Sequence, residues 1–525
     1  MNNFVEDLTL KSYFANVEKL PLSLGIKKKD LGAYYTDIHV VKYILENLDI
    51  DRNSYILDPS CGCGSFIFPL YFQSLTGIPN DLGQIYGIDI DKRAIDFTVN
   101  AISNLSGCPD KGEILNHFIN DDFIFESANK HRNSTEFSKI IESGGFHFII
   151  GNPPFNLNIQ NKKLPTFMNS THREIAKKSK NIPINFILKG LEILRKDGIL
   201  AFVLPKTLLY VGRYKEFRSY LMENFTVLKI VEIGIKFKDV RGEQIILFVK
   251  NKKPRKNSSI EFSTISREPP YQSENSFKVK QTYFNLTKTL PTMPNNESYL
   301  LVNELINRKE KLLDASEIAV FRGISLGKTD LKKIPYIKNS NLPDNAFIRG
   351  KDISKLTLKN LTITNDSSIK ISPLSELKKP KIVTQNIYSS ESGLISYFDM
   401  QGIPTAETVS NIVIENQDKL AYVYALLNSK LMNFFLSQYV FSGSKLTMHV
   451  DGYYLRQLPL IWDTKREETS SLINLAMNID KDTRNYKSIL DEIDKIVYKL
   501  YGVTEDQRNV IEMVMNKTLS RKSIW

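Results

Sequence analysis

The run Gly151-Asn152-Pro153-Pro154-Phe155 brings together three groups that could act on one planar ligand: a side-chain amide, a backbone carbonyl and an aromatic face. Each proline fixes φ and removes an N–H donor, so Pro153 and Pro154 hold the stretch rigid. Two oxygen acceptors can take the two N–H bonds of an exocyclic amino group while the Phe155 ring stacks on the heterocycle that bears it. A strand-ending turn would use the same residues, since Asn-Pro also initiates turns. Upstream, Asp58-Pro59-Ser60-Cys61-Gly62-Cys63-Gly64 carries two glycines that let the backbone turn sharply and pass close to a ligand. It departs from G-x-G-x-x-G, which disfavours dinucleotide binding.

Six further positions, in four places along the chain, could do chemistry. Asp89 closes an apolar run 25 positions after Gly64, where a carboxylate can accept both hydroxyls of a ribose. Asp122 and Phe123 offer an acceptor beside a ring, which an adenine could use, although a turn before a helix would look the same. Thr36 and Asp37 precede a helical pattern whose free N–H groups could hold a carboxylate, or they simply cap it. Phe237, between Lys236 and Lys238, is either a second wall for a base or a hydrophobic anchor.

These residues need elements to position them. Ile38, Val41, Ile44, Leu45 and Leu48 share one helical face, and 54–58, 84–89 and 146–150 read as short buried strands. A helix over about 66–75 follows the glycine loop, and another, from Ile184, stops near Asp197-Gly198 before the apolar strand 199–205. A further helix at about 214–224 leads to closely spaced strands at 227–233 and 244–249. Strands alternating with helices and ending in a hairpin predict an α/β, doubly wound, mostly parallel sheet with a terminal antiparallel hairpin.

The 525 residues suffice for two to four domains. Seventy Lys plus Arg against 58 Asp plus Glu give a net charge of +12, which favours a polyanionic partner. Three cysteines, Cys61, Cys63 and Cys108, form no C-x-x-C pair, so neither a disulfide framework nor a metal site is expected, and a reducing cytoplasm fits. The N-terminus lacks the apolar core of a signal peptide, and no run has the length of a membrane span. The lysines at 162, 163, 177, 178 and 180, with His172 and Arg173, read as a mobile loop near the substrate or as solvated surface.

Taken in order, Asp58-Pro59-x-x-Gly62-x-Gly64 followed by Asn152-Pro153-Pro154-Phe155 resembles the gamma-class, TaqI-like, S-adenosylmethionine-dependent N6-adenine DNA methyltransferases, over about residues 30–250. The resemblance implies a class I methyltransferase, Rossmann-like fold and S-adenosyl-L-methionine as cofactor. It implies that Tyr35 and Thr36 hold the methionine end, and that Asp58, Pro59, Cys61, Gly62 and Gly64 form the loop around it. It further assigns Asp89 to the ribose, Asp122 and Phe123 to the cofactor's adenine, and Asn152, Pro153, Pro154 and Phe155 to the target base. Phe155 and Phe237 would stack on a base flipped out of double-stranded DNA. Two departures stand out: Thr36-Asp37 where relatives often have Thr-Pro, and Phe155 where Tyr is also common.

Residues 1–31 read as a helical lead-in ending in Lys27-Lys28-Lys29, and the catalytic domain spans 32–250. The basic run 250–256 marks a boundary and could touch phosphates, and 251–300 reads as a connecting segment. Residues 301–465 resemble a mixed α+β target-recognition domain, through Ile348-Arg349-Gly350-Lys351-Asp352-Ile353 and Ala425-Leu426-Leu427-Asn428-Ser429-Lys430-Leu431. There Leu426, Leu427, Leu431 and Phe434 should be core, 441–445 a mobile loop toward DNA, and 466–525 a helical segment packed on that domain. With about thirty residues before Gly32 no fused nuclease is expected, and a separate cognate restriction endonuclease is a candidate partner. Three readings compete: a DNA adenine methyltransferase, a methyltransferase of RNA or of a protein glutamine amide, and the modification subunit of a larger restriction assembly.

Overall fold

A computed structural model of the chain describes residues 36–75, 84–106, 111–125, 135–155, 169–235, 242–266, 268–286, 289–307, 317–326, 331–338, 340–364, 374–390, 392–479 and 486–519. It divides into two units, 1–290 and 291–525. Tyr35, Phe237, Lys162, Lys163 and the lead-in 1–31 lie outside the described residues.

The first unit is built on a nine-stranded sheet. Its strands are β1 (Ile56–Asp58), β2 (Ile85–Asp89), β3 (Phe118–Asn120), β4 (Phe146–Gly151), β5 (Leu194–Pro205), β6 (Thr226–Gly234), β7 (Gln244–Lys250), β8 (Ser259–Ile265) and β9 (Ser273–Lys280), in the order β3-β2-β1-β4-β5-β7-β6-β8-β9. The pairs among β1 to β5 are parallel, and β7 runs antiparallel to both β5 and β6. Strand order reverses between β1 and β4, so a crevice opens at their carboxyl ends, where ligands bind in sheets of this kind. β1 and β4 are apolar because both faces are covered; Leu57, Ile149 and Ile150 are fully buried.

Within 251–300, expected as a connecting segment, Ser259–Ile265 and Ser273–Lys280 extend this sheet. β8 pairs in parallel with β6, and β9 pairs antiparallel with β8. The added hairpin braces the helix Ile38–Glu46: Ser273 Oγ lies 2.6 Å from Tyr43 Oη, and the Tyr271 ring meets His39 edge-on at 6.0 Å. The basic run from Lys250 sits at the amino-terminal edge of the parallel strands, opposite the crevice, because Lys250 pairs with Ile199 while Gln244 pairs with Pro205.

The second unit holds a four-stranded antiparallel sheet of Ile318–Arg322, Val409–Ile414, Lys381–Gln385 and Ser396–Asp399, in that order, under the helix Gln417–Asn428. Leu426, Leu427, Leu431 and Phe434 are core, as their spacing indicates. The segment 441–445 is not a mobile loop. Ser442 is fully buried, and its hydroxyl accepts from the Thr292 amide at 3.0 Å, leaving Lys445 exposed. The helices Tyr486–Tyr501 and Glu505–Leu519 are stapled to Lys430, whose amide donates to Asp494 at 2.6 Å and whose ammonium lies 3.0 Å from Glu512.

Lys381 and Asp399, exposed by 0% and 1%, form an ion pair at 2.6 Å inside this unit, and Asp399 also accepts from the amides of Gln401, Gly402 and Ile403. Removing one partner leaves the other charge buried alone, so Lys381→Met is expected to destabilise the second unit by about 3–5 kcal/mol. Urea unfolding of the variant beside wild type measures it.

Candidate active site

The crevice at the reversal point collects residues from three adjacent parallel strands. β1 ends in Asp58, whose side chain is 2% exposed and whose Oδ1 accepts from the Ser60 amide at 3.0 Å. The loop then turns through Gly62 and Gly64, with φ of +51° and +86°, a region that favours glycine. A β-carbon at Gly64 would run into the Phe68 ring, whereas one at Gly62 would meet nothing within 4 Å among the described residues. The loop is therefore packed on its Gly64 side and open on its Gly62 side. Its height over the sheet is set by Asp89 at the end of β2, whose Oδ2 accepts from the Gly62 amide at 2.8 Å. Asp89 Oδ1 takes the Asp91 amide at 2.9 Å, and the carboxylate is half-buried.

From the other side comes β4. The register pairs Ile56 with Phe148 and Leu57 with Ile149, which brings Gly151 beside the end of β1. A β-carbon at Gly151 would lie 2.7 Å from Asp58 Oδ1 and 3.6 Å from Pro59 Cδ. The Asn152-Pro153-Pro154-Phe155 turn thus starts against the glycine loop. Pro153 is buried, Asn152 and Pro154 are half-buried, and the half-buried Phe155 packs on the core cluster containing Phe66, Ile150 and Val203.

Other expected residues take clearer roles. Asp37, not Thr36, caps the helix Ile38–Glu46 by accepting from the His39 amide at 2.7 Å, while Thr36 is buried beside it. Asp122 Oδ1 accepts from the amides of Ile124 and Phe125, both at 3.0 Å, and so holds the turn after β3. Phe123 is buried against Phe186 of the helix Ile182–Ile193, ring centres 5.3 Å apart, with Lys189 Nζ 4.5 Å above its ring. The Cys61 side chain is also buried, facing Gly87 on β2, so the backbone of that residue forms the loop. Residues 170–179, expected within a mobile or solvated stretch, form a helix in which His172 is buried between Glu192 and Tyr220, at 2.8 Å from each. Phe186 and Lys189 were hidden in the sequence by an amphipathic pattern that reads as core.

Burial, with Asp89 nearby, pushes the Asp58 carboxyl up to about 8, and burial pushes Asp89 up to about 6; burial also drives the Cys61 thiol well above its usual range. Between about pH 4 and pH 8 the folded chain therefore holds a proton on Asp58 that the unfolded chain releases. By linkage this group makes the fold lose stability as pH rises through that window. Asp58→Asn is expected to flatten that part of the profile, as read from urea midpoints between pH 5 and 8.

The reversal point, the glycine loop and the acid closing β2 define a class I methyltransferase fold. Residues 83–240 match the Eco57I restriction-modification methylase family, and residues 345–460 match the TaqI-like C-terminal specificity domain. The chain joins these two modules, and its relatives include type II restriction-modification methyltransferases. One relative, a protein of Methanocaldococcus jannaschii named as a type II restriction enzyme and methyltransferase, is 24% identical over 72% of this chain and 33% of its own length. Another, the type II methyltransferase M.HincII of Haemophilus influenzae, is 26% identical over 45% of this chain and 43% of its own. The chain thus spans less than half the length of these relatives. Among solved structures, the restriction-modification enzyme MmeI in complex with DNA shares the fold at 12% identity and a TM-score of 0.55, over 92% of this chain and 75% of that one. A DrdV–DNA complex does so at 12% identity and a TM-score of 0.53, over 86% and 57%. Among the described residues no helix is long and apolar enough to cross a membrane.

Proposed function

We propose that the chain transfers a methyl group from S-adenosyl-L-methionine to N6 of an adenine flipped out of duplex DNA, at a sequence chosen by the second unit. The observation that carries this reading is the seating of Gly151 against Asp58, which sets the base-gripping turn beside the cofactor loop. The residues fit the cofactor. Above Gly62 the loop is open among the described residues, and two acids flank it, a protonated Asp58 and Asp89, whose carboxylate suits a ligand that carries hydroxyls.

When bound, S-adenosylmethionine supplies an electrophilic methyl on a sulfonium. The chain's own task is alignment. Adenine N6 is a weak nucleophile because its lone pair is delocalised into the ring. Asn152 Oδ1 and the Pro153 carbonyl accept its two hydrogens and favour a tetrahedral nitrogen facing the methyl. Phe155 offsets the cost of unstacking the base, and Thr36 steadies the methionine end. A separate restriction endonuclease acting on the same sequence is the protein partner that fits this role.

The test incubates the protein with labelled S-adenosylmethionine and, separately, duplex DNA, RNA and a release-factor protein, then identifies the product by nucleoside chromatography. N6-methyladenine in DNA is expected. Label in RNA or protein and none in DNA would defeat the proposal.

A further inference from the structure

The helix Ile38–Glu46 is too short to stand alone, and it leans on the first unit in two ways. Its apolar face, Val40, Val41, Ile44 and Leu45, packs into the core cluster that holds Phe66 and Phe68. Such packing is non-directional, so it holds the helix down and leaves its position along its own axis to polar contacts. Those contacts come from the hairpin of β8 and β9 and from β6 beside it. The Tyr43 side chain is buried, with its hydroxyl 2.6 Å from Ser273 Oγ. Lys229 Nζ of β6 stands 5.4 Å over the Tyr43 ring and donates to Asn47 Oδ1 at 3.0 Å. The same ammonium pairs at 3.1 Å with Glu261 of β8, which also accepts from Ser276 Oγ at 3.0 Å. His39, Tyr43 and Asn47 follow one another at four-residue spacing and so form one stripe, whose first member meets Tyr271 edge-on.

The stripe leads to Thr36. Its neighbour Asp37 is locked to the first helical turn: Oδ1 accepts from the His39 amide at 2.7 Å, and the Asp37 carbonyl accepts from the amides of Val40 and Val41 at 3.0 and 3.1 Å. A helix shifts as a rod, so an axial displacement at Tyr43 arrives at Thr36, about 10 Å away at about 1.5 Å per residue. We propose that Tyr43, held by Ser273 and Lys229, is a positioning residue that sets Thr36 for the methionine end of the cofactor. The hairpin of β8 and β9 then belongs to the cofactor machinery at one remove. This rests on the reading of the chain as an S-adenosylmethionine enzyme with Thr36 at that end of the ligand.

Isothermal titration of the full chain with S-adenosylhomocysteine, and with methylthioadenosine, which keeps the adenosine and sulfur but lacks the amino-acid end, tests it without chemistry. Wild type should prefer S-adenosylhomocysteine. Tyr43→Phe, which removes one hydroxyl and keeps the ring, should bind S-adenosylhomocysteine about 3- to 10-fold more weakly, the effect of one such bond, and bind methylthioadenosine as wild type does. Ser273→Ala, on an exposed edge strand where folding is not at risk, should give the same pattern, and Ser273→Thr, which keeps a hydroxyl, should restore wild-type affinity. The two losses should not add in the double variant, because both remove the same bond. Equal weakening of both compounds would reduce the brace to a support of the fold and overturn the assignment. Wild-type affinity for S-adenosylhomocysteine in both variants, or a wild type that binds the two compounds alike, would overturn it as well. Binding of neither compound by wild type would instead overturn the underlying cofactor reading.

Discussion

Gly151→Ala is expected to remove methyl transfer and cofactor binding together. The added carbon would sit 2.7 Å from Asp58 Oδ1 and 3.4 Å from Asp58 Cγ, inside van der Waals contact. Neither side can easily give way. Asp58 is buried and tied to the Ser60 amide, while Gly151 is the last residue of a strand paired on both sides. Overpacking of this kind costs about 1–3 kcal/mol, visible as a lower melting temperature. A displacement near 1 Å of the turn or the loop lowers a positioned reaction by about a hundredfold. Labelled-methyl transfer and calorimetric titration of S-adenosylhomocysteine on the same preparation measure both losses. A variant that folds and works like wild type would show that the two motifs do not depend on each other.

Asn152→Ala should behave differently, and the contrast is informative. It removes an acceptor needed only when the target nitrogen becomes tetrahedral, so transfer should fall about 10²- to 10³-fold, the usual size for one such group. Cofactor affinity should stay near wild type, because Asn152 belongs to the turn and not to the loop that Asp58 and Asp89 shape. Loss of cofactor affinity with transfer per bound cofactor unchanged would move Asn152 from the base to the cofactor.

How far the site could be read from sequence follows from how local its causes are. Gly62, Gly64 and the two prolines act through their own backbone, so the loop and the turn were legible residue by residue, as were β1 and β4, whose apolar runs stop at those signals. Their contact was not, because it depends on the register of β1 against β4, which no local pattern encodes. β9 escaped notice for a related reason: as an exposed edge strand it is mostly polar and shows no clear alternation. The glycine and serines of 441–445 read as a mobile loop because such residues leave a backbone unconstrained by its own side chains. That Ser442 is buried depends on Thr292, 150 positions away. Phe123 was found by its place after Asp122, but its partners Phe186 and Lys189 come from a helix whose apolar spacing says only that it is packed.

The basic run from Lys250 to Lys256 turns the corner between β7 and β8 at the edge of the sheet away from the crevice. Strands of six or seven residues separate the two edges by roughly 20 Å, about twice the screening length of about 10 Å at 0.1 M salt. Under the proposed activity, these lysines and Arg255 act on a duplex seated at the crevice through the long-range field of the molecule. Such charges hasten encounter in dilute salt and lose that influence as ionic strength rises. The run is then a matter of arrival rate, while the hold on the target base is decided at the opposite edge.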